Sequence, residues 1–163
     1  MISVLFICDT NITLSPLAAA ILRRASLDAG IADKLKIQSA GAHPGLSSRP
    51  VDRRIIKLCK EKEIPLAETT SREVTSDDVN NFDLLIVMNE NNFWHIKSIS
   101  PQVSSTKLKL FMEYSKQLAI REVPDPLMGD ASFEEVYKIL LSVCDALLER
   151  ISKQFSLSPD PAN

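Results

Sequence analysis

The 163-residue sequence holds three cysteines, Cys8, Cys59 and Cys144, far apart and odd in number. It has no CxxC pair and no Cys/His cluster. That pattern argues against a disulfide framework and a structural zinc, and it implies a reducing, cytoplasmic setting with no metal or other cofactor. No apolar run approaches the roughly 18 residues of a membrane span, so membrane insertion is not expected. Residues 1–7 have no basic stretch ahead of an apolar segment, unlike a secretory signal. Charge of one sign is also missing. Nineteen Lys and Arg against 21 Asp and Glu leave a net charge of −2, which gives nucleic acid no general attraction. Internal repeats and low-complexity segments are absent. One further absence is local: no Lys or Arg occurs before Arg23.

What is present describes a globular domain. Apolar residues at 45% and charged residues at 25% are ordinary for a packed core with a solvated surface. The length suits one domain, expected over residues 1–155 with a disordered tail over 156–163, and such a chain buries about two thirds of its unfolded surface. Ile2 to Ile7 form a short apolar strand. Pro16 to Ala29 follow as a helix, with Ser15 as its cap and Leu17, Ala18, Ile21, Leu22 and Ala25 as its buried stripe. The intervening loop places Cys8 off the strand end, where unpaired N–H groups and the helix dipole make an anion site. A thiol held there is expected to have a lowered pKa.

Downstream, strands are expected at Leu35–Ser39, Asp83–Met88 and Lys107–Met112. Helices are expected at Val51–Lys62, from Ser76, at Glu90–Ile99, and after Ser132, where Glu135 completes a capping box. His43–Pro50 and Arg121–Asp130 are loops. Cys59 and Cys144 fall on apolar helix faces, and His95 and Trp94 on a helix surface or packing edge. Strands alternating with helices predict an α/β fold: a four-stranded parallel sheet with helices on both faces and a ligand site at the strand C-termini.

The run from Val4 to Pro16, Val-Leu-Phe-Ile-Cys-Asp-Thr-Asn-Ile-Thr-Leu-Ser-Pro, resembles the catalytic loop of the low-molecular-weight protein tyrosine phosphatases. Ser39-Ala40-Gly41, Ser71-Arg72 with Asp77-Asp78, Phe82 to Met88, Val123-Pro124-Asp125-Pro126 and Phe133 to Tyr137 resemble later family segments in the same order. The region around Ile99–Pro101 and Leu108–Pro126 is most similar to bacterial members. The resemblance implies the family's three-layer fold. It also implies Cys8 as the nucleophile that forms a phosphocysteine, Ser15 as the hydroxyl that stabilises its thiolate, and Asp125 as general acid. Asp9, Thr10, Asn11, Ile12, Thr13 and Leu14 would be the phosphate-binding loop, with Asn11 in a left-handed conformation. The implied partner is a phosphotyrosine protein or a tyrosine kinase, and the implied state a monomer or weak dimer.

The departures from the family pattern fall in the chemistry. Leu14 stands at the position of the phosphate-clamping arginine, Thr13 at that of a second loop cysteine, and Thr10 at that of a loop glycine. Leu127-Met128 replace the aromatic pair after Asp-Pro and would form an apolar pocket wall. An arginine supplied to a phosphoryl transition state is worth roughly 10³–10⁵ in rate, or ~4–7 kcal/mol. The expectation is therefore a catalytically impaired member that binds or regulates. The alternative is an active phosphatase with Arg49 or Arg72 as the substitute cation. A thiol redox role, as in the arsenate reductases that share this fold, would need a resolving cysteine beside Cys8, and Thr13 removes the nearest one.

Overall fold

In the computed structural model, residues 1–43, 45, 48–117 and 119–161 are described. Of the predicted loop His43–Pro50, Pro44, Leu46 and Ser47 lie outside them, as do Leu118 and the last two residues of the tail. The described strands are β1 (Ile2–Cys8), β2 (Leu35–Gly41), β3 (Leu84–Val87) and β4 (Leu108–Leu110). The helices are α1 (Leu14–Asp28), α2 (Arg53–Glu61), α3 (Ser76–Asn81), α4 (Glu90–Ile99) and α5 (Phe133–Gln154).

The strands form one parallel sheet in the order β2-β1-β3-β4. Successive side chains point to opposite faces, so β1 feeds two cores. Val4, Phe6 and Cys8 join Leu17 and Ile21 of α1, Ile55 of α2 and Val143 and Leu147 of α5. Leu5 and Ile7 join Val79 of α3 and Ile96 of α4 on the other face. Burial on both faces explains why β1 and β3 are nearly continuous apolar runs. From β1 the chain crosses to β2 on one side and later returns to β3 on the other. The β1 C-terminus therefore lies at the switch point where such sheets bind ligands.

Several predicted boundaries shift. The first helix starts at Leu14, not Pro16, with Thr13 at its N-cap and no side-chain cap bond. Pro16 still sits in the first turn, where no intrahelical N–H is needed. The fourth strand is only Leu108–Leu110. Phe111–Tyr114 turn into a 3-10 helix, because Phe111 rotates into the core and meets Phe6 edge-on at 6.0 Å between centroids. The last helix begins as expected, with Ser132 and Glu135 satisfying each other's backbone N–H.

The segment expected to be a disordered tail is partly held in place. Leu157 packs against the larger core, and the Lys34 ammonium bonds the Ser158 carbonyl and the Asp160 carboxylate at 2.5 and 2.7 Å. A polar, proline-containing sequence hid the two hydrogen bonds because their one donor, Lys34, lies in a distant turn. Among the described residues, no helix is long and apolar enough to cross a membrane.

Candidate active site

β1 ends at Cys8 and α1 begins at Leu14, so residues 9–13 must reverse the chain in a short space. Asn11 makes this turn in the left-handed region, at φ 57°, where its short polar side chain is tolerated. That side chain then organises the loop. Its amide nitrogen donates to the Ser15 and Ser39 hydroxyls, both at 2.9 Å, and its oxygen accepts the Arg72 backbone N–H at 3.0 Å. The Ile12 carbonyl accepts the Asp52 N–H at 2.9 Å, tying the loop to the start of α2. Gly41 lets the second strand pass beneath. A Cβ there would lie 3.1 Å from Asn11 Cβ and 3.2 Å from the Asp9 carbonyl oxygen.

Cys8 is buried, with 2% of its surface exposed. Its Sγ lies 3.0 Å from Ser15 Oγ and accepts the Asn11 N–H at 3.2 Å. Burial pushes the thiol up from its ordinary range. The Ser15 hydroxyl and backbone N–H and the Asn11 N–H pull the other way without overcoming it, and the Asp9 carboxylate adds to the rise. This overturns the expectation of a lowered pKa: desolvation outweighs the hydrogen bonds that would favour the thiolate. Ser15 is likewise not a helix cap. As the second helical residue it turns its hydroxyl into the loop, toward Cys8, Asn11 and the Ala40 carbonyl.

Leu14 is 5% exposed and belongs to the same core cluster as Cys8, Leu17 and Val123. It therefore packs inward and does not share an outer wall with Leu127 and Met128, which are 40% and 75% exposed. Ile12 and Thr13 are buried, Thr10 is half-buried and Asp9 is exposed. Asp125 reaches the same end of the sheet because the Val123 N–H bonds the Met88 carbonyl just past β3. Its carboxylate accepts the Leu127 N–H at 2.8 Å and starts a short 3-10 turn over Pro126–Met128. The Arg72 guanidinium is paired with Asp78, at 2.7 Å, and the Arg49 side chain is exposed. Cys59 and Cys144 are buried core residues, and burial pushes Cys59 to about 11.

The structure thus brings Cys8, Asn11 and Ser15 together. It adds Ser39, Gly41 and the Arg72 backbone, which the sequence reading left without a role. Asn89 and Asn92 were also missed. Both donate side-chain N–H groups to the Asp9 carboxylate, at 3.2 and 2.7 Å. Their one sequence signal is an Asn-x-x-Asn spacing directly after an apolar strand. His43 and His95 pack edge-on at 4.3 Å, and the His43 backbone N–H bonds the Asp9 carbonyl at 2.7 Å. Among the described residues no group of three or more His, Cys, Asp or Glu could hold a metal ion.

The arrangement resembles known proteins across its length. The low molecular weight protein-tyrosine-phosphatase PtpA of Staphylococcus saprophyticus is 36% identical over 157 residues, covering 96% of this chain and 98% of that protein. The corresponding protein YfkJ of Bacillus subtilis is 31% identical, covering 96% of this chain and all of that protein. The crystal structure of YfkJ superposes with a TM-score of 0.88, covering 94% of this chain and 96% of that one. The tyrosine phosphatase Wzb of Escherichia coli K30, solved with sulphate, superposes with a TM-score of 0.75 at 30% identity, covering 91% and 97%. The profile described as low molecular weight phosphotyrosine protein phosphatase matches residues 3–157. With the fold, the loop and these matches in agreement, the chain belongs to the low molecular weight phosphotyrosine protein phosphatase family.

Proposed function

We propose that this chain is a family member whose phosphoryl-transfer power is strongly reduced and whose role is to bind or regulate a phosphotyrosine protein or a tyrosine kinase. The observation that carries the reading is Leu14: at the position the family resemblance gives to arginine, a side chain without charge packs into the core. Phosphoryl transfer depends on positioning the phosphoryl group and neutralising its equatorial oxygens, and a guanidinium does both with a planar fork. A leucine does neither. The raised Cys8 thiol compounds the loss, because the nucleophile must be the thiolate.

What the loop keeps is a shaped cradle. Asn11, Ser15 and Ser39 hold it, Cys8 lies at its base, and the start of α1 still offers backbone N–H groups and a favourable dipole. In this reading residues 1–155 act as one domain, a monomer or weak dimer in the cytoplasm. The test is turnover of a simple aryl phosphate. Wild type is expected to be nearly silent, and ordinary phosphatase rates abolished by Cys8→Ser would refute the reading.

The second reading is a working phosphatase. The intact Cys8–Ser15–Asn11 hydrogen-bond set favours it. There the Cys8 thiolate would attack phosphorus while Asp125 gives its proton to the departing phenolate oxygen. The deprotonated Asp125 would then take a proton from the water that cleaves the phosphocysteine. A cation would have to come from outside the loop, and Arg72 could supply it only by leaving Asp78.

A further inference from the structure

Residues 9–13 carry no cation, and the α1 start they lead into has no side-chain cap bond. Asn11 holds the far half of the loop through its own side chain. The near half is held from outside. The Asp9 carbonyl accepts the His43 N–H at 2.7 Å. One oxygen of the Asp9 carboxylate, Oδ1, accepts side-chain N–H groups from both Asn92, at 2.7 Å, and Asn89, at 3.2 Å. Both amides come from the start of α4, where the Asn89 side-chain oxygen also caps the helix by accepting the Asn92 N–H at 2.8 Å. One turn further, His95 packs edge-on against His43, at 4.3 Å between ring centroids. So α4 meets Asp9 directly at its carboxylate, and at its carbonyl through His43.

Packing alone does not explain Asn92. It is fully buried, and its Oδ1 has no hydrogen-bond partner among the described residues. The bond to Asp9 fixes which way the amide points, because the reversed amide would set two oxygens against each other. A buried acceptor left unpaired is a penalty that proteins seldom carry without cause. An apolar residue of the same branching, such as leucine, would fill the space with no unpaired group. The helix cap does not need the amide either, since it uses the Asn92 backbone N–H. What only the side-chain amide supplies is the bond to Asp9.

We propose that Asn92, aided by Asn89, is a positioning residue: it holds Asp9 so that the backbone between Cys8 and Asn11 is already ordered when an oxyanion arrives. This rests on the reading of the loop as a binding cradle. With no cation in the loop, the attraction falls to its backbone N–H groups and the α1 dipole. Fixing those groups beforehand removes an ordering penalty from binding. The Asn11 N–H, 3.2 Å from Cys8 Sγ, reports that order.

The test follows hydrogen exchange of the Asn11 amide by NMR on the full chain, in wild type, Asn92→Leu, Asp9→Ala and Asp9→Asn. Asn92→Leu and Asp9→Ala are expected to speed that exchange about tenfold, the effect of freeing about one residue of backbone. Asp9→Asn loses the same charge as Asp9→Ala but keeps Oδ1, the atom both amides bond, and is expected to stay near the wild-type rate. The melting temperature of Asn92→Leu is expected not to fall, a split from the looser loop that a merely structural role would not give. Unchanged Asn11 exchange in Asn92→Leu and Asp9→Ala overturns the proposal. So does exchange that quickens throughout the chain, or an Asp9→Asn loop as loose as that of Asp9→Ala. In calorimetry, Asn92→Leu is expected to bind inorganic phosphate about tenfold more weakly than wild type, and equal affinity also overturns the proposal. Its failure is separable from that of the cradle reading. A wild type that binds no phosphate sinks the cradle, and the exchange rates still decide whether Asn92 orders the loop. Phosphate binding with the same Asn11 exchange in every variant does the reverse.

Discussion

Cys8 shows how two neighbours of one atom can be outweighed by its surroundings. Ser15 and Asn11 direct polar groups at the sulfur, yet the β1 end is dry, and the thiol is pushed up. Alkylation of Cys8, followed by mass spectrometry as pH rises, is expected to accelerate only above the ordinary thiol range of about 8.5. Fast modification of Cys8 at neutral pH would contradict this. Asn11 carries the loop's conformation. Asn11→Ala combines an unfavourable φ with loss of the bonds to Ser15, Ser39 and Arg72, and is expected to cost about 2–3 kcal/mol in chemical denaturation. A loss of a few tenths would mean that the loop holds its shape without it. At this scale the sequence was half legible. The left-handed Asn11 followed from the family resemblance, with a residue type that tolerates it, whereas the raised thiol could not, because desolvation depends on what packs around a side chain and not on its neighbours in sequence.

Elements were more legible than residues. The α5 helix declares itself by its apolar spacing and its Ser132–Glu135 box, and the structure has both. Ser132→Ala removes one half of that box. It is expected to lower stability by about 1 kcal/mol, a melting shift of about 2–4 °C for a domain of this size, measured by thermal unfolding. An unchanged melting point would mean that tertiary packing alone fixes the helix start. The shorter β4 and the held segment Leu157–Asp160 were not legible. Both depend on long-range partners, Phe6 for the first and Lys34 for the second. Helix α3 carries a device of the same kind. Burial raises Asp78, but bonds from Arg72 and Thr75 together hold its carboxyl below the ordinary range, and the same Arg72 presents its backbone N–H to Asn11. A cap of a short helix thus also braces the loop.

Across the whole molecule, these shifts combine into a dependence on pH. His95 is held below its ordinary value, mainly by burial and then by His43, with Glu73 opposing. A group lowered on folding contributes stability that is present above its unfolded pKa and lost as pH falls through the folded one. The first loss is therefore expected below about 6.5, followed by the lowered carboxylates Asp52, Asp78 and Asp83 below about 4. Asp145, raised by burial, works in the opposite sense. Thermal unfolding across this range checks the order, and His95→Gln should remove the first step alone. A stability profile flat between about 7 and 5 would refute the assignment to His95. The parallel sheet and its two helical layers were legible because alternating strands and helices leave few topologies. What is expected of the cradle's chemistry comes only from the family resemblance, and it turns on Leu14. The direct test is aryl phosphate turnover by wild type, Cys8→Ser and Leu14→Arg. The account predicts a nearly silent wild type and a gain in Leu14→Arg that disappears when Cys8→Ser is added. Efficient wild-type turnover lost with Cys8→Ser would contradict it, and would mean that the missing charge reaches the phosphoryl group from elsewhere.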